Sequence, residues 1–239
     1  LSTLVAMAEL PIVQFNQPAE CKESVCSQSA LLFGLAKVAE SRDDDIGHHL
    51  ARIKIYTQII AALYAVQFPK RLHQSMVNII SETSIVHDIG KVGIADDILR
   101  HVGPYSESQF ETMKTHTMIG ADILLSLSDQ FGRDVWIDTA MQITLSHHER
   151  FDGAGYPFGL SGESISLPAR LVSIADVYDA LCSKRVYKEA LSHEETMDII
   201  SYETGMQFDP EISLLLKNNH KAFKDVLRSE SHLLKAESI

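Results

Sequence analysis

Ile46-Gly47-His48-His49-Leu50-Ala51-Arg52-Ile53-Lys54-Ile55-Tyr56-Thr57-Gln58-Ile59-Ile60-Ala61-Ala62-Leu63-Tyr64 carries apolar or small residues at Ile46, Leu50, Ile53, Thr57, Ile60 and Tyr64. Steps of three and four mark one buried stripe along a helix. His49 lies three after Ile46 and four before Ile53, at the edge of that stripe, and Asp45, four residues earlier, shares its face. A lone histidine there reads as a hydrogen-bonded core residue, so what surrounds it elsewhere in the sequence decides its meaning.

Working outward, Ser29 to Glu40 reads as a helix, and Ser41-Arg42-Asp43-Asp44-Asp45 separates it from the stripe. Pro69 is expected to open the next helix, which runs to His87-Asp88 and stops near Gly90. Ser106 with Gln109 forms a capping box for a helix to about Ser126, and a further helix ends near His147-His148. Pro168 opens a helix holding Asp176 and Asp179, Ser192 with Glu195 caps another, and the chain from Pro210 looks helical and amphipathic. Strand-like alternation is not sustained and there is no internal repeat. The expected fold is all-α, with helices packed around ligands that project inward.

The 239 residues suit one domain, with 45% hydrophobic and 22% charged residues and no apolar run near the roughly 18 residues of a membrane span. Leu1 to Leu10 lacks a basic leader and reads as the end of an upstream element, so a parent protein with an N-terminal regulatory domain is expected. Cys21, Cys26 and Cys182 form neither a disulfide framework nor a Cys-x-x-Cys zinc site, which points to a reducing cytoplasm. A net charge of −11 argues against general nucleic-acid binding. An anionic substrate would then meet metals or a few cations, among them Lys91, Lys184, Arg185 and Lys188.

Of eleven histidines, His49, His87, His116, His147 and His148 fall on predicted inner faces or helix ends. Together with Asp88 and Asp176 they outweigh the core reading of any one. His48, His73, His101, His193, His220 and His232 have no such context and are read as surface or supporting residues. Adjacent His147 and His148 point about 100° apart on a helix, so two ions side by side can use both directions. Imidazole and carboxylate without thiolate suit iron, manganese or zinc. Asp88 is the natural bridge between two ions, and water held between two cations yields a hydroxide able to attack phosphorus in line. Lys91, three after Asp88, is placed to neutralise phosphoryl charge. The segment Glu149 to Leu167 is longer than ordinary helix connections; Gly153 and Gly155 tolerate positive φ, Pro157 stiffens the turn, and Tyr156 is expected at an exposed tip.

His87-Asp88-Ile89-Gly90-Lys91, then His116, then His147-His148 with Asp152-Gly153-Ala154-Gly155-Tyr156-Pro157, resembles the HD-GYP family of bacterial phosphodiesterases within the HD phosphohydrolase superfamily. The likeness covers about Ser29 to Asn219. It implies a helical bundle, with residues 29–219 as the catalytic domain; residues 1–28 are read as an N-terminal extension or the end of an upstream domain, and 220–239 as a C-terminal helix. It implies hydrolysis of cyclic di-GMP, a bacterial second messenger, to pGpG or GMP. His49, His87, Asp88 and Asp176 resemble the HD-domain ligands, and His116, His147 and His148 would supply a second site bridged by Asp88. Arg185 and Lys188 match positions that hold phosphate or guanine, and Tyr156 offers a ring or hydroxyl to a base. Asp179 reads either as an orienting partner or as a helix-surface carboxylate.

Asp45 stands where many members carry a longer glutamate for a third metal. Two bound ions, iron or manganese, are therefore expected, with Asp45 supporting a ligand or acting through water. Arg100-His101-Val102-Gly103 replaces a usual Lys-Pro-Gly at the pocket lip. Alternatives are an idle module binding cyclic dinucleotides or a protein, an enzyme for cyclic GMP-AMP, and a mononucleotide phosphohydrolase. The intact ligand residues disfavour the first, and the Gly-Tyr-Pro loop the last. An oligomer is compatible with the sequence.

Overall fold

The computed structural model describes residues 30, 33–39, 48–183 and 189–237. Among them the elements are α1 (His48–Gln67), α2 (Gln74–Thr83), α3 (Asp96–Leu99), α4 (Glu107–Lys114), α5 (His116–Phe131), α6 (Val135–Ser146), α7 (Leu167–Cys182), α8 (His193–Tyr202) and α9 (Pro210–Glu237). Short 3-10 turns lie at Ser84–Val86, Ile89–Gly93 and Gly162–Ser164. The described residues form no sheet, only an isolated bridge between Thr204 and Phe208. The all-α expectation holds.

The stripe that opened the sequence makes α1 the central helix. Leu50, Ile53, Thr57, Ile60 and Tyr64 are all buried, and α1 packs against α2, α7 and α9. Tyr56 stacks on Phe223 of α9, with centroids 4.7 Å apart, and meets Tyr178 of α7 edge-on at 5.1 Å. Such large rings supply much of the buried apolar area per residue. None of these helices is long and apolar enough to cross a membrane.

Three expected boundaries move. Pro69 lies in a turn closed by Arg71 N–H and Leu72 N–H on the Phe68 carbonyl, and α2 begins only at Gln74. The turn tucks Leu72 into the core, and His73 Nδ1 then caps the amide of Ser75. α2 ends at Thr83 and tightens into 3-10 geometry before His87. The capping box at Ser106 and Gln109 forms, yet the helix it starts breaks at Thr115, so α4 and α5 are separate. That break starts α5 at His116.

Gly90 fixes how these turns meet. A Cβ there would lie 1.8 Å from the His116 carbonyl oxygen and 2.4 Å from the Gly120 nitrogen. Only a glycine lets the His87-Asp88 turn press against α5 this closely, and the contact brings Asp88 beside His116.

Candidate metal centre

α1, the turns after α2, the N-terminus of α5, the C-terminal end of α6 and the middle of α7 converge on one pocket. Two sets of donor atoms lie there, each within 4.8 Å of one another: His49, His87 and Asp176 in one, Asp88, His116, His147 and His148 in the other. In the first set, Asp176 Oδ1 is 3.9 Å from His49 Nε2 and 3.8 Å from His87 Nε2. Asp88 stands between the sets. Its Oδ2 is 3.3 Å from His87 Nε2, while its Oδ1 is 3.2 Å from His116 Nε2 and 3.6 Å from His147 Nε2. The Lys91 ammonium lies 2.8 Å from Asp88 Oδ2.

The rings are aimed from behind. His87 Nδ1 donates to the Ser84 carbonyl at 2.9 Å, His116 Nδ1 to Met113 at 2.7 Å, and His147 Nδ1 to Ile143 at 3.1 Å and Thr144 at 3.2 Å. A carbonyl can only accept, so each Nδ1 carries the proton and each Nε2 faces the pocket. His49 is held by a carboxylate instead: its Nδ1 donates to Asp179 Oδ2 at 2.7 Å. Asp179 is fully buried and also receives Arg52 Nε at 2.5 Å. It orients His49, and the helix-surface reading is set aside.

His87, His116 and His147 Nε2 and Asp88 Oδ1 are buried without a hydrogen-bond partner among the described residues. Four orphaned polar atoms facing one another are costly unless something neutralises them, and a cation fits them. Backbone-oriented imidazoles are also how metal ligands are fixed. The electrostatics agree. Burial pulls His87 down, but Asp88 and Asp176 outweigh it and hold the imidazole up at about 9. Cation binding there is thus coupled to loss of that proton. Burial pushes Asp88 up, yet the charges of Lys91 and His87 keep it well below the usual carboxylate range. His148 is held well below the usual imidazole range by burial and by His147, leaving it neutral.

Tyr156 departs from expectation. It is half-buried rather than exposed at a tip, its ring 4.8 Å from His148 and 6.5 Å from His116. The loop turns back over the pocket because Gly155 crosses the backbone of Glu149 and Arg150, where a Cβ would lie 2.3 Å from the Arg150 nitrogen. Of the two glycines only Gly153 uses positive φ, at 83°. Gly155 is needed for close approach. Phe110 meets Tyr156 edge-on at 6.0 Å, and the Lys114 ammonium sits 5.8 Å from the Tyr156 ring.

Asp45, Lys184, Arg185 and Lys188 lie outside the described residues. His193 is buried rather than superficial: its Nδ1 is 2.6 Å from Tyr178 Oη and its Nε2 is 2.8 Å from His220 Nδ1. Sequence reasoning missed Arg52, although it stands one turn after His49 on the same helix. It also missed Glu149, whose adjacency to His148 was the available signal.

A family model described as HD domain matches residues 40–212. A probable cyclic di-GMP phosphodiesterase of Vibrio cholerae is 42% identical over 186 residues, covering 77% of this chain and 42% of that protein. A 3'3'-cGAMP-specific phosphodiesterase of the same organism is 33% identical over 193 residues, covering 81% and 35%. The chain thus spans about two-fifths of the length of these relatives. An HDG"Y"P protein from Bdellovibrio bacteriovorus shares the fold with a TM-score of 0.54 at 17% identity, covering 91% of this chain and 68% of that one.

Proposed function

The chain belongs to the HD-domain family, in its HD-GYP branch, and from that membership we propose that it is a phosphodiesterase that hydrolyses cyclic di-GMP to pGpG or GMP. The observation that carries this reading is the set of orphaned Nε2 atoms on His87, His116 and His147, turned with Asp88 Oδ1 into one pocket. Two divalent ions, iron or manganese, would be held by His49, His87, Asp88 and Asp176 on one side and by Asp88, His116, His147 and His148 on the other. When bound, such ions activate water near neutral pH and polarise a phosphoryl oxygen.

The remaining tasks fall to the chain. Asp88 keeps its charge and can present one oxygen to each side. Lys91, poised on Asp88, neutralises charge that accumulates on the phosphoryl oxygens. Tyr156 covers the pocket beside His148 and meets the sugar or base, helping to exclude bulk water. Arg185 and Lys188 would hold phosphate or guanine, as a guanidinium fork and a point charge suit an anion in a chain of net charge −11. We read residues 29–219 as the catalytic domain, acting in the cytoplasm.

Relatives named for cyclic GMP-AMP motivate one alternative substrate. The test incubates purified protein with cyclic di-GMP or 3'3'-cGAMP under anaerobic Fe(II) or Mn(II) and separates products by chromatography. Metal-dependent pGpG or GMP from cyclic di-GMP is expected. Turnover of cGAMP alone would move the substrate assignment, and no turnover of either by metal-loaded protein would refute the reading.

A further inference from the structure

Glu149 follows directly on His148, is 2% exposed and, among the described residues, is held by backbone amides rather than by a cation. Oε1 accepts from Phe158 N–H at 2.7 Å and Oε2 from Leu160 N–H at 3.0 Å. Burial pushes this carboxyl up, against the pull of the amides of Phe158, Leu160 and Gly159. A carboxylate buried this deeply is costly and is kept where both oxygens are used. Here they close a ring of backbone from 149 to 160.

Tyr156 sits on that ring. Its N–H donates to the His148 carbonyl at 3.2 Å, and its ring lies over the His148 imidazole. The outer limb is pinned separately: Phe151 N–H and Asp152 N–H donate to the Gln207 and Met206 carbonyls, and Arg150 bridges Asp152 and Glu203. Those outer bonds fix where the loop leaves the body of the protein. They do not reach residues 156–160, which return over the pocket; there Glu149 hydrogen-bonds the backbone of this inner limb, while rings and the Lys114 ammonium only contact the Tyr156 ring.

We propose that Glu149 is a positioning residue: by clamping the amides of Phe158 and Leu160 it holds Tyr156 over His148 on the substrate side of the pocket. It thereby sets how well substrate is held, without ligating metal itself. The consequence for substrate rests on the phosphodiesterase reading; the clamp does not. A glutamine cannot reproduce the clamp, because its NH2 would face one of the two amides donor to donor.

The test compares metal-loaded wild type with Glu149→Gln, with the shorter Glu149→Asp as a second probe. Amide hydrogen exchange, read by mass spectrometry with residue-level fragmentation, is followed at Tyr156, Phe158 and Leu160 and at Phe151 and Asp152, with metal content and cyclic di-GMP kinetics. Exchange at the first three should rise about tenfold or more in both variants, with the outer two amides and metal content unchanged. KM should rise about tenfold with a smaller change in kcat, and in a Tyr156→Ala background Glu149→Gln should add nothing further. Unchanged exchange at Tyr156, loss of metal, or fully additive effects with Tyr156→Ala would overturn the proposal. Should wild type hydrolyse nothing, the phosphodiesterase reading fails and the exchange pattern alone decides for or against the clamp.

Discussion

His49 is aimed at the pocket by a carboxylate on another helix, Asp179, whereas His87, His116 and His147 are each aimed by a carbonyl three or four residues back along their own segment. The second arrangement is written into helix ends. It survives any side-chain substitution that leaves the turn intact. The first depends on a buried trio of His49, Arg52 and Asp179 spanning α1 and α7. One group of candidate ligands can therefore be loosened by a single distant change, and the other only by touching a ligand or its turn.

The sharpest way to erase the difference is to remove what the groups share. Asp88→Ala takes away the one carboxylate that faces both, so metal content should fall at both positions and turnover by about a thousandfold or more. Normal hydrolysis with full occupancy would break the bridging assignment. Lys91→Met should spare both groups of ligands while lowering kcat by about a hundredfold, because the charge proposed to meet the phosphoryl oxygens beside Asp88 is lost. Metal analysis separates the two variants: Lys91→Met keeps its metal.

Asp179→Asn addresses the comparison itself. It should weaken one of the two metals by about ten- to a hundredfold and leave the other unchanged. Equal weakening of both, read from a metal titration, would show that the groups are not independently supported.

The smallest effect is on acid stability. Burial raises Asp179, but its bonds from His49 and Arg52 win and hold it below the usual carboxylate range. A depressed folded-state value means its contribution is complete above the unfolded value and is lost as pH falls through the folded one. In metal-free protein the stability gap between wild type and Asp179→Asn, measured by denaturant unfolding, should therefore be widest near neutrality and narrow on acidification. A gap that widens in acid would contradict the assignment.

The contrast between local and distant support also explains what could be read in advance. The stripe of α1, the capping boxes at Ser106 and Ser192, and the His87-Asp88 and His147-His148 pairs are local patterns, and local patterns are visible in sequence. The break at Thr115 is not; beside it the His116 carbonyl meets Gly90 of a distant turn, a contact between segments that no local pattern announces. Tyr156 looked exposed because glycines and proline mark a turn but do not say which way it folds. Its half-burial follows from Gly155 crossing Glu149 and from the clamp on Phe158 and Leu160. Arg52 with Asp179, and His193 with Tyr178 and His220, are pairs between helices that no spacing along the chain reveals.

Whether two cations share this pocket with Asp88 between them can be read from anomalous diffraction by crystals loaded with Mn(II) or, anaerobically, Fe(II). Two peaks about 3.5 to 4 Å apart are expected, one against His49, His87 and Asp176 and the other against His116, His147 and His148, with Asp88 touching both. A single peak, or two peaks that Asp88 does not join, would contradict that arrangement.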